Sequence, residues 1–169
     1  GNTAVAHKLV DILAKQSTGA LSTKDKYGYT PLRLAIIEGH TAIANKLIDS
    51  LLKKNNPQAL TYPNKLGDTP LHLAIKNGQT AIASKLIDIY ADKNLEQLNS
   101  PNEDGHSPLL LAIQQGETDI ASKLIDRLSK KYPNALIEKE ENGKNPLHLA
   151  VQSGQTDIAN LLIEKLATQ

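Results

Sequence analysis

The chain has 169 residues, with 19 Lys and Arg against 18 Asp and Glu and a formal net charge of +1, a balance that gives no reason to expect nucleic acid or an anionic membrane as partner. It contains no cysteine, which removes disulfides and thiolate metal sites and points to an intracellular, cytoplasmic setting. No apolar run approaches the ~20 residues that span a bilayer, and no charged-then-apolar leader opens the chain.

In chain order, Thr3-Ala4-Val5-Ala6-His7-Lys8-Leu9-Val10-Asp11 carries the apolar spacing of a helix and reappears 38 residues later as Thr41 to Asp49. Residues 1 to about 22 therefore read as the second half of a repeating unit. Asp25, three residues ahead of Gly28, reads as a turn. Thr30-Pro31-Leu32-Arg33-Leu34-Ala35 follows. Thr then Pro suits a helix start, because the hydroxyl accepts a free backbone N–H and proline forfeits a donor that had no partner. This helix runs to Gly39, where a left-handed residue closes it without steric cost. Thr41 is the expected cap of a second helix, TAIANKLID, whose apolar spacing continues through Leu51. Pro57 is expected to end that extension, and Leu60 to tuck back under the helix pair.

The same order then returns. Thr69-Pro70-Leu71-His72-Leu73-Ala74, Ser107-Pro108-Leu109-Leu110-Leu111-Ala112 and Asn145-Pro146-Leu147-His148-Leu149-Ala150 repeat the helix start at steps of 39, 38 and 38 residues. Gly78, Gly116 and Gly154 close the first helices, and Thr80, Thr118 and Thr156 stand as caps of the second. Asn64, Asn102 and Glu140 lie three ahead of Gly67, Gly105 and Gly143. Ile89 and Leu128 prolong the second helices, Pro133 is expected to end one of them, and Leu98 and Leu136 return like Leu60. Self-similarity at this period signals a solenoid, in which no unit buries its apolar face without a neighbour. The expectation is one all-α domain over 1–169, a stack of helix-turn-helix units with short hairpins between them. It divides into a half repeat over 1–22, full repeats over 23–61, 62–99 and 100–137, and a C-terminal repeat over 138–169.

The D/N-x-x-G turn, the TPLHLA helix start, the Gly after the first helix and the I-A-x-x-L-I core of the second resemble the ankyrin repeat, and together they cover nearly the whole chain. Three features depart from that family's pattern. The period is about five residues longer than the usual 33, Arg33 and Leu110 stand where the family has His, and Gln79 and Gln155 follow the turn glycine where His is usual. Leu161 also stands where Lys8, Lys46, Lys85 and Lys123 stand in earlier units. Terminal repeats normally turn polar, so this end reads as a fragment's edge or as a face covered by a missing repeat or a second copy. Gly1 in place of an initiator Met fits a cleaved expression product.

Signs of chemistry are sparse. The chain has no GxxxxGK, GxSxG or HExxH sequence. Neighbouring helices pack ~8 to 10 Å apart, which sets His72 and His148, two repeats apart, on the order of 20 Å from each other. Shared metal ligands need ~2.0 to 2.1 Å to one point. Both histidines are expected to bond locally with backbone or with the neighbouring Thr or Asn, and His40 to be structural in the same way. The carboxylate pairs Glu103-Asp104 and Glu140-Glu141 fall in hairpin loops and read as solvated charge, without the desolvation that acid/base catalysis needs. Lys53-Lys54 and Lys130-Lys131 suit the C-terminal ends of second helices, where cations meet the helix dipole. No catalytic, cofactor or metal residue is expected.

Function is then expected on the exposed face of the stack. The resemblance implies a concave surface formed by hairpin tips and the outward side of the first helices. Its variable positions fall on Lys26, Tyr27, Tyr29, Ile37 and Glu38 in the first full repeat and on Lys65, Leu66, Asp68, Lys76 and Asn77 in the second. They fall on Glu103, Asp104, His106, Gln114 and Gln115 in the third and on Glu141, Asn142, Lys144, Gln152 and Ser153 in the last. Tyr is enriched among buried interface anchors, and only the first two full repeats carry aromatic or aliphatic side chains here. Tyr27, Tyr29, Ile37 and Leu66 are therefore the expected centre of a protein-binding patch, with simple covering of the hairpin as the alternative.

The leading expectation is a noncatalytic, monomeric protein-interaction module binding a protein partner of unknown identity, with no nucleic acid and no membrane. The alternatives are an engineered or structural scaffold without a natural partner, the targeting domain of a larger enzyme, and an effector exported by a bacterium into a host cytoplasm. The absence of Cys, Met, Phe and Trp fits both inheritance from unit to unit and engineering. The long period and connectors as unlike as ALTYPNKLGDT and LNSPNEDGHS stand against a consensus design.

Overall fold

The computed structural model describes residues 2–16, 19–93 and 96–168. Among them are nine α-helices: α1 Asn2–Gln16, α2 Pro31–Ile37, α3 Thr41–Lys53, α4 Pro70–Lys76, α5 Thr80–Asp92, α6 Pro108–Gln115, α7 Thr118–Lys131, α8 Pro146–Gln152 and α9 Thr156–Ala167. Four one-turn 3-10 helices, Gly19–Leu21, Pro57–Leu60, Glu96–Leu98 and Pro133–Leu136, follow α1, α3, α5 and α7. None of these helices is long and apolar enough to cross a membrane.

The first helix of each pair starts where its local chemistry dictates. Thr30, Thr69, Ser107 and Asn145 are extended N-caps whose side chains accept from the amides of Arg33, His72, Leu110 and His148, with proline just inside the helix. In α4 and α8 the histidine ring returns a bond to the cap's backbone N–H, closing a reciprocal box. Gly116, at φ 72°, shows how these helices end, in a left-handed residue that leads straight into the partner helix.

The second helices start differently from the expectation. Thr41, Thr80, Thr118 and Thr156 are already their first residues, and His40, Gln79, Glu117 and Gln155 hold the cap positions without a side-chain capping bond. The turn itself is responsible. The His40 N–H donates to Ala35 O at 2.8 Å and the Thr41 N–H to Gly39 O at 3.0 Å, so the backbone is committed before any hydroxyl is needed. The His40 side chain is exposed and makes no capping bond.

Lengthened second helices of 13 and 14 residues are present in α3, α5 and α7. Pro133 ends α7 as expected: the helix stops at Lys131, and Tyr132, directly before the proline, is at φ −139°. Pro57 does not end α3, because the chain turns earlier, at Asn55, a non-glycine residue at φ 52°, where Asn is tolerated better than most. Both prolines open the 3-10 turns that follow. Those turns carry Leu60, Leu98 and Leu136 into complete burial, and Leu21 behaves likewise. Tyr90, which occupies the place of Leu51 and Leu128, is also fully buried and donates its hydroxyl to Leu60 O.

The helices from α2 to α9 pack in pairs, and each helix, α1 included, packs on an equivalent helix of an adjoining unit. One apolar core of Leu, Ile and Ala runs from Val10 to Leu162. Burying one such Leu or Ile contributes ~1.5–3 kcal/mol. A ladder of ion pairs crosses the second helices at each junction: Lys46–Asp11 at 2.7 Å, Lys85–Asp49 at 2.7 Å, Lys123–Asp88 at 2.6 Å and Lys165–Asp126 at 3.1 Å. These partners are partly exposed, where a pair is worth ~0.2–1 kcal/mol. Apolar stacking therefore supplies the cohesion, and the ladder adds directionality.

Candidate functional site

The hairpins between repeats are built by their first residue. Asp25 Oδ1 accepts the Tyr27 and Tyr29 amides at 2.8 and 2.9 Å while the Asp25 N–H donates to Tyr29 O at 2.9 Å. Asn64 and Asn102 repeat this arrangement with Leu66 and Asp68, and with Asp104 and His106. In the last hairpin the Glu140 backbone keeps the bridge to Lys144, and the side-chain acceptor is Asn142. Such side-chain-closed turns hold their tips in a defined direction. Adjacent hairpins are also tied together, since the Glu103 N–H donates to Leu66 O at 3.0 Å. At that crossing Gly67 has φ 73°, and a Cβ there would lie 2.8 Å from the Glu103 nitrogen.

Of the expected surface residues, Lys26, Glu38, Lys65, Asn77, Glu103, Asp104, Gln114, Gln115, Glu141, Asn142, Gln152 and Ser153 are exposed. Tyr27 and Leu66 are 64% and 59% exposed, and Ile37 is at 36%. Tyr29, Lys76, His106 and Lys144 are half-buried. The tips change sign along the stack, from Lys26 and Lys65 to Glu103, Asp104 and Glu141.

Asp68 departs from the expectation of a surface contact. It is buried, receives Lys76 Nζ at 2.9 and 2.7 Å, and accepts from Asn102 Nδ2 at 2.8 Å. Its carboxylate is spent joining two repeats, and Lys76 is turned inward to meet it. Glu140 departs in the same sense from the reading of solvated loop charge. It is buried, accepting from Gln114 Nε2 at 2.8 Å and Asn142 Nδ2 at 2.7 Å, with His106 Nε2 at 4.0 Å.

Local bonding of the two TPLH histidines is present. His72 Nδ1 lies 2.8 Å from Thr69 Oγ1, and His148 Nδ1 lies 2.6 Å from Asn145 Oδ1. His72 also reaches the next repeat, with Nε2 3.0 Å from His106 O. The His106 carbonyl only accepts, so Nε2 carries a proton, and the Thr69 N–H only donates, at 3.2 Å to Nδ1, so Nδ1 carries none and the ring is neutral. Burial, partly offset by that bond, lowers its pKa. Arg33, at the equivalent position, is fully buried. Its Nη1 donates to Gly28 O at 2.7 Å and Nη2 to Tyr62 O, joining two hairpin connectors.

That bridge exposes a residue the sequence reading passed over. Tyr62 is 39% exposed, and Lys24 Nζ stands 5.6 Å from its ring centroid; Lys26 Nζ is 4.8 Å from the Tyr27 ring. The signal in the sequence was Tyr62's place just before the second hairpin, the same side of the stack as Tyr27. Among the described residues no three His, Asp or Glu side chains are placed to hold a metal ion.

The family model described as ankyrin repeats (3 copies) matches residues 2–97 and 94–169. None of the curated proteins matches the chain.

Proposed function

The chain belongs to the ankyrin-repeat family, whose members are generally protein-protein interaction modules and typically noncatalytic, and from that premise we propose that it binds a protein partner through the row of hairpin tips and first helices. The observation that carries the reading is the exposure of Tyr27 and Leu66 on two successive turns whose backbones are closed by Asp25 and Asn64. Preorganised aromatic and aliphatic groups lose little conformational freedom on binding, which is where interface energy concentrates. Tyr62, Tyr29 and Ile37 extend the apolar surface, and Lys26 and Lys65 rim it.

The sign change along the tips gives the partner a polarity. A complementary segment carries acidic groups toward Lys26 and Lys65 and basic groups toward Glu103, Asp104 and Glu141. Paired baits test this: the chain itself and a Tyr27→Ala/Leu66→Ala variant of unchanged helicity, each used for capture and then for titration of the purified captured protein. Loss of affinity by at least ~tenfold in the variant is expected, since anchors of this kind cost more than 1 kcal/mol on truncation. Equal affinity for both baits would move the site off these hairpins.

A further inference from the structure

The third residue of each first helix is a histidine or a leucine in three units, His72, Leu110 and His148, and a fully buried arginine, Arg33, in the first full repeat. The fold does not need a charge there. Leu110 fills the place with no polar atom, and His72 reaches the next connector as a neutral ring. Taking a guanidinium out of water is costly unless a counter-charge meets it. Arg33 has hydrogen bonds to the Gly28 and Tyr62 carbonyls, but no carboxylate among the described residues pairs with it. The titratable side chains acting on it are the phenols of Tyr29 and Tyr90, and its Nε is buried without a partner.

This uncompensated charge lies just beneath the surface. Tyr62, whose carbonyl accepts from Nη2, is 39% exposed, and Lys24 Nζ stands 5.6 Å from its ring centroid. Lys26 and Lys65 are exposed on the two neighbouring hairpins. The acids of the same stretch do not offset them: Asp25 Oδ1 is taken up by the Tyr27 and Tyr29 amides, Asp68 is paired with Lys76, and Glu38 lies beyond the far end of α2. Nor is the openness of this surface set by an end of the stack, since Leu66 has a hairpin on either side and is still 59% exposed.

We propose that the partner is an acidic segment that seats one Asp or Glu side chain on the Tyr62 connector, with the buried Arg33 as its counter-charge and Lys24 beside it. The proposal rests on the partner-binding reading above and specifies what that surface recognises. Exposed lysines draw the segment in, and their pull is screened by salt; a buried charge is screened much less and sets the register.

A displayed library of random peptides, selected on the whole chain, supplies the probe. The selected peptides are expected to be rich in Asp and Glu. The tightest of them should bind Arg33→Leu at least ~tenfold more weakly, and changing its critical acid to the amide should close the gap between the two chains. At ~1 M salt the Lys24→Ala/Lys26→Ala loss seen at ~0.15 M should vanish while the Arg33→Leu loss remains. Circular dichroism checks the fold; Arg33→His, the copy of His72, replaces Arg33→Leu should the latter not fold. An empty selection, peptides with no excess of acid, or an acid-to-amide change felt equally by both chains would overturn the proposal. So would tighter binding when phosphoserine replaces the acid, which would assign the surface to a phosphorylated partner. Binding that falls in Tyr27→Ala/Leu66→Ala but ignores every Arg33 variant would sink this proposal and leave the partner-binding reading standing, whereas indifference to Tyr27→Ala/Leu66→Ala would sink that reading itself.

Discussion

Replacing Gly67 by alanine separates two costs that a glycine conceals. The residue has φ 73°, and an added Cβ would lie 2.8 Å from the Glu103 nitrogen and 3.1 Å from Asn102 Cα, all backbone that cannot swing aside. The left-handed conformation costs alanine ~1–2 kcal/mol. Relieving the clash requires the two hairpins to part, which sacrifices the bond from the Glu103 N–H to Leu66 O and adds about 1 kcal/mol. A total on the order of 3 kcal/mol results. Gly105, one repeat on, has φ 77° but its Cβ would meet nothing nearer than Glu141 Cγ at 3.8 Å, so alanine there bears the conformational cost alone. Urea unfolding followed by circular dichroism compares the two. Gly67→Ala should lower the midpoint by roughly 1 M or more, and Gly105→Ala by about half as much. Equal midpoints would refute the argument that the hairpins touch at Gly67.

Three other outcomes are expected. Stability should fall as pH drops below ~6.5, the ordinary value for an unfolded histidine. Burial holds His72 lower in the folded state, so the unfolded chain takes up the proton first, and stability present above ~6.5 is lost as pH falls toward the folded value; in His72→Leu, which copies Leu110, the urea midpoint should depend less on pH between 7 and 5. Leu98→Ala should cost ~2–5 kcal/mol by thermal or urea unfolding, against about 0.5 kcal/mol or less for Leu66→Ala on the surface. Asp68→Ala should cost ~1–3 kcal/mol, since it strips Lys76 and Asn102 of a buried acceptor; unchanged stability would return Asp68 to the list of surface contacts.

What was legible in the sequence is what neighbours in the chain decide. The caps at Thr30 and Asn145, the turns at Asp25 and Asn64 and the return of Leu60, Leu98 and Leu136 all follow from short-range spacing repeated four times. The misread helix starts at Thr41 and Thr80 come from a tight backbone turn that puts His40 and Gln79 in the cap positions, where no side-chain bond is made. Asp68 and Glu140 were misread for a different reason. Their burial depends on Asn102 and Gln114, 34 and 26 residues away, and an acidic residue beside a turn glycine looks the same whether or not the next hairpin covers it. Arg33 was visible as an oddity in the TPLH position, but its reach to Tyr62 O was not, and so Tyr62 went unnoticed.

Because each repeat leans chiefly on the units beside it, cohesion spreads along the stack like the coupling of beads on a line. A middle unit such as α4 and α5 is held from both sides, whereas α8 and α9 are held from one. Amide hydrogens should accordingly exchange in order of distance from the ends, with an opening front advancing inward one unit at a time. The hairpins that carry Tyr27 and Leu66 are then not equally firm. Leu66 sits one unit deeper, and a partner that grips both would slow the front at the end where it starts.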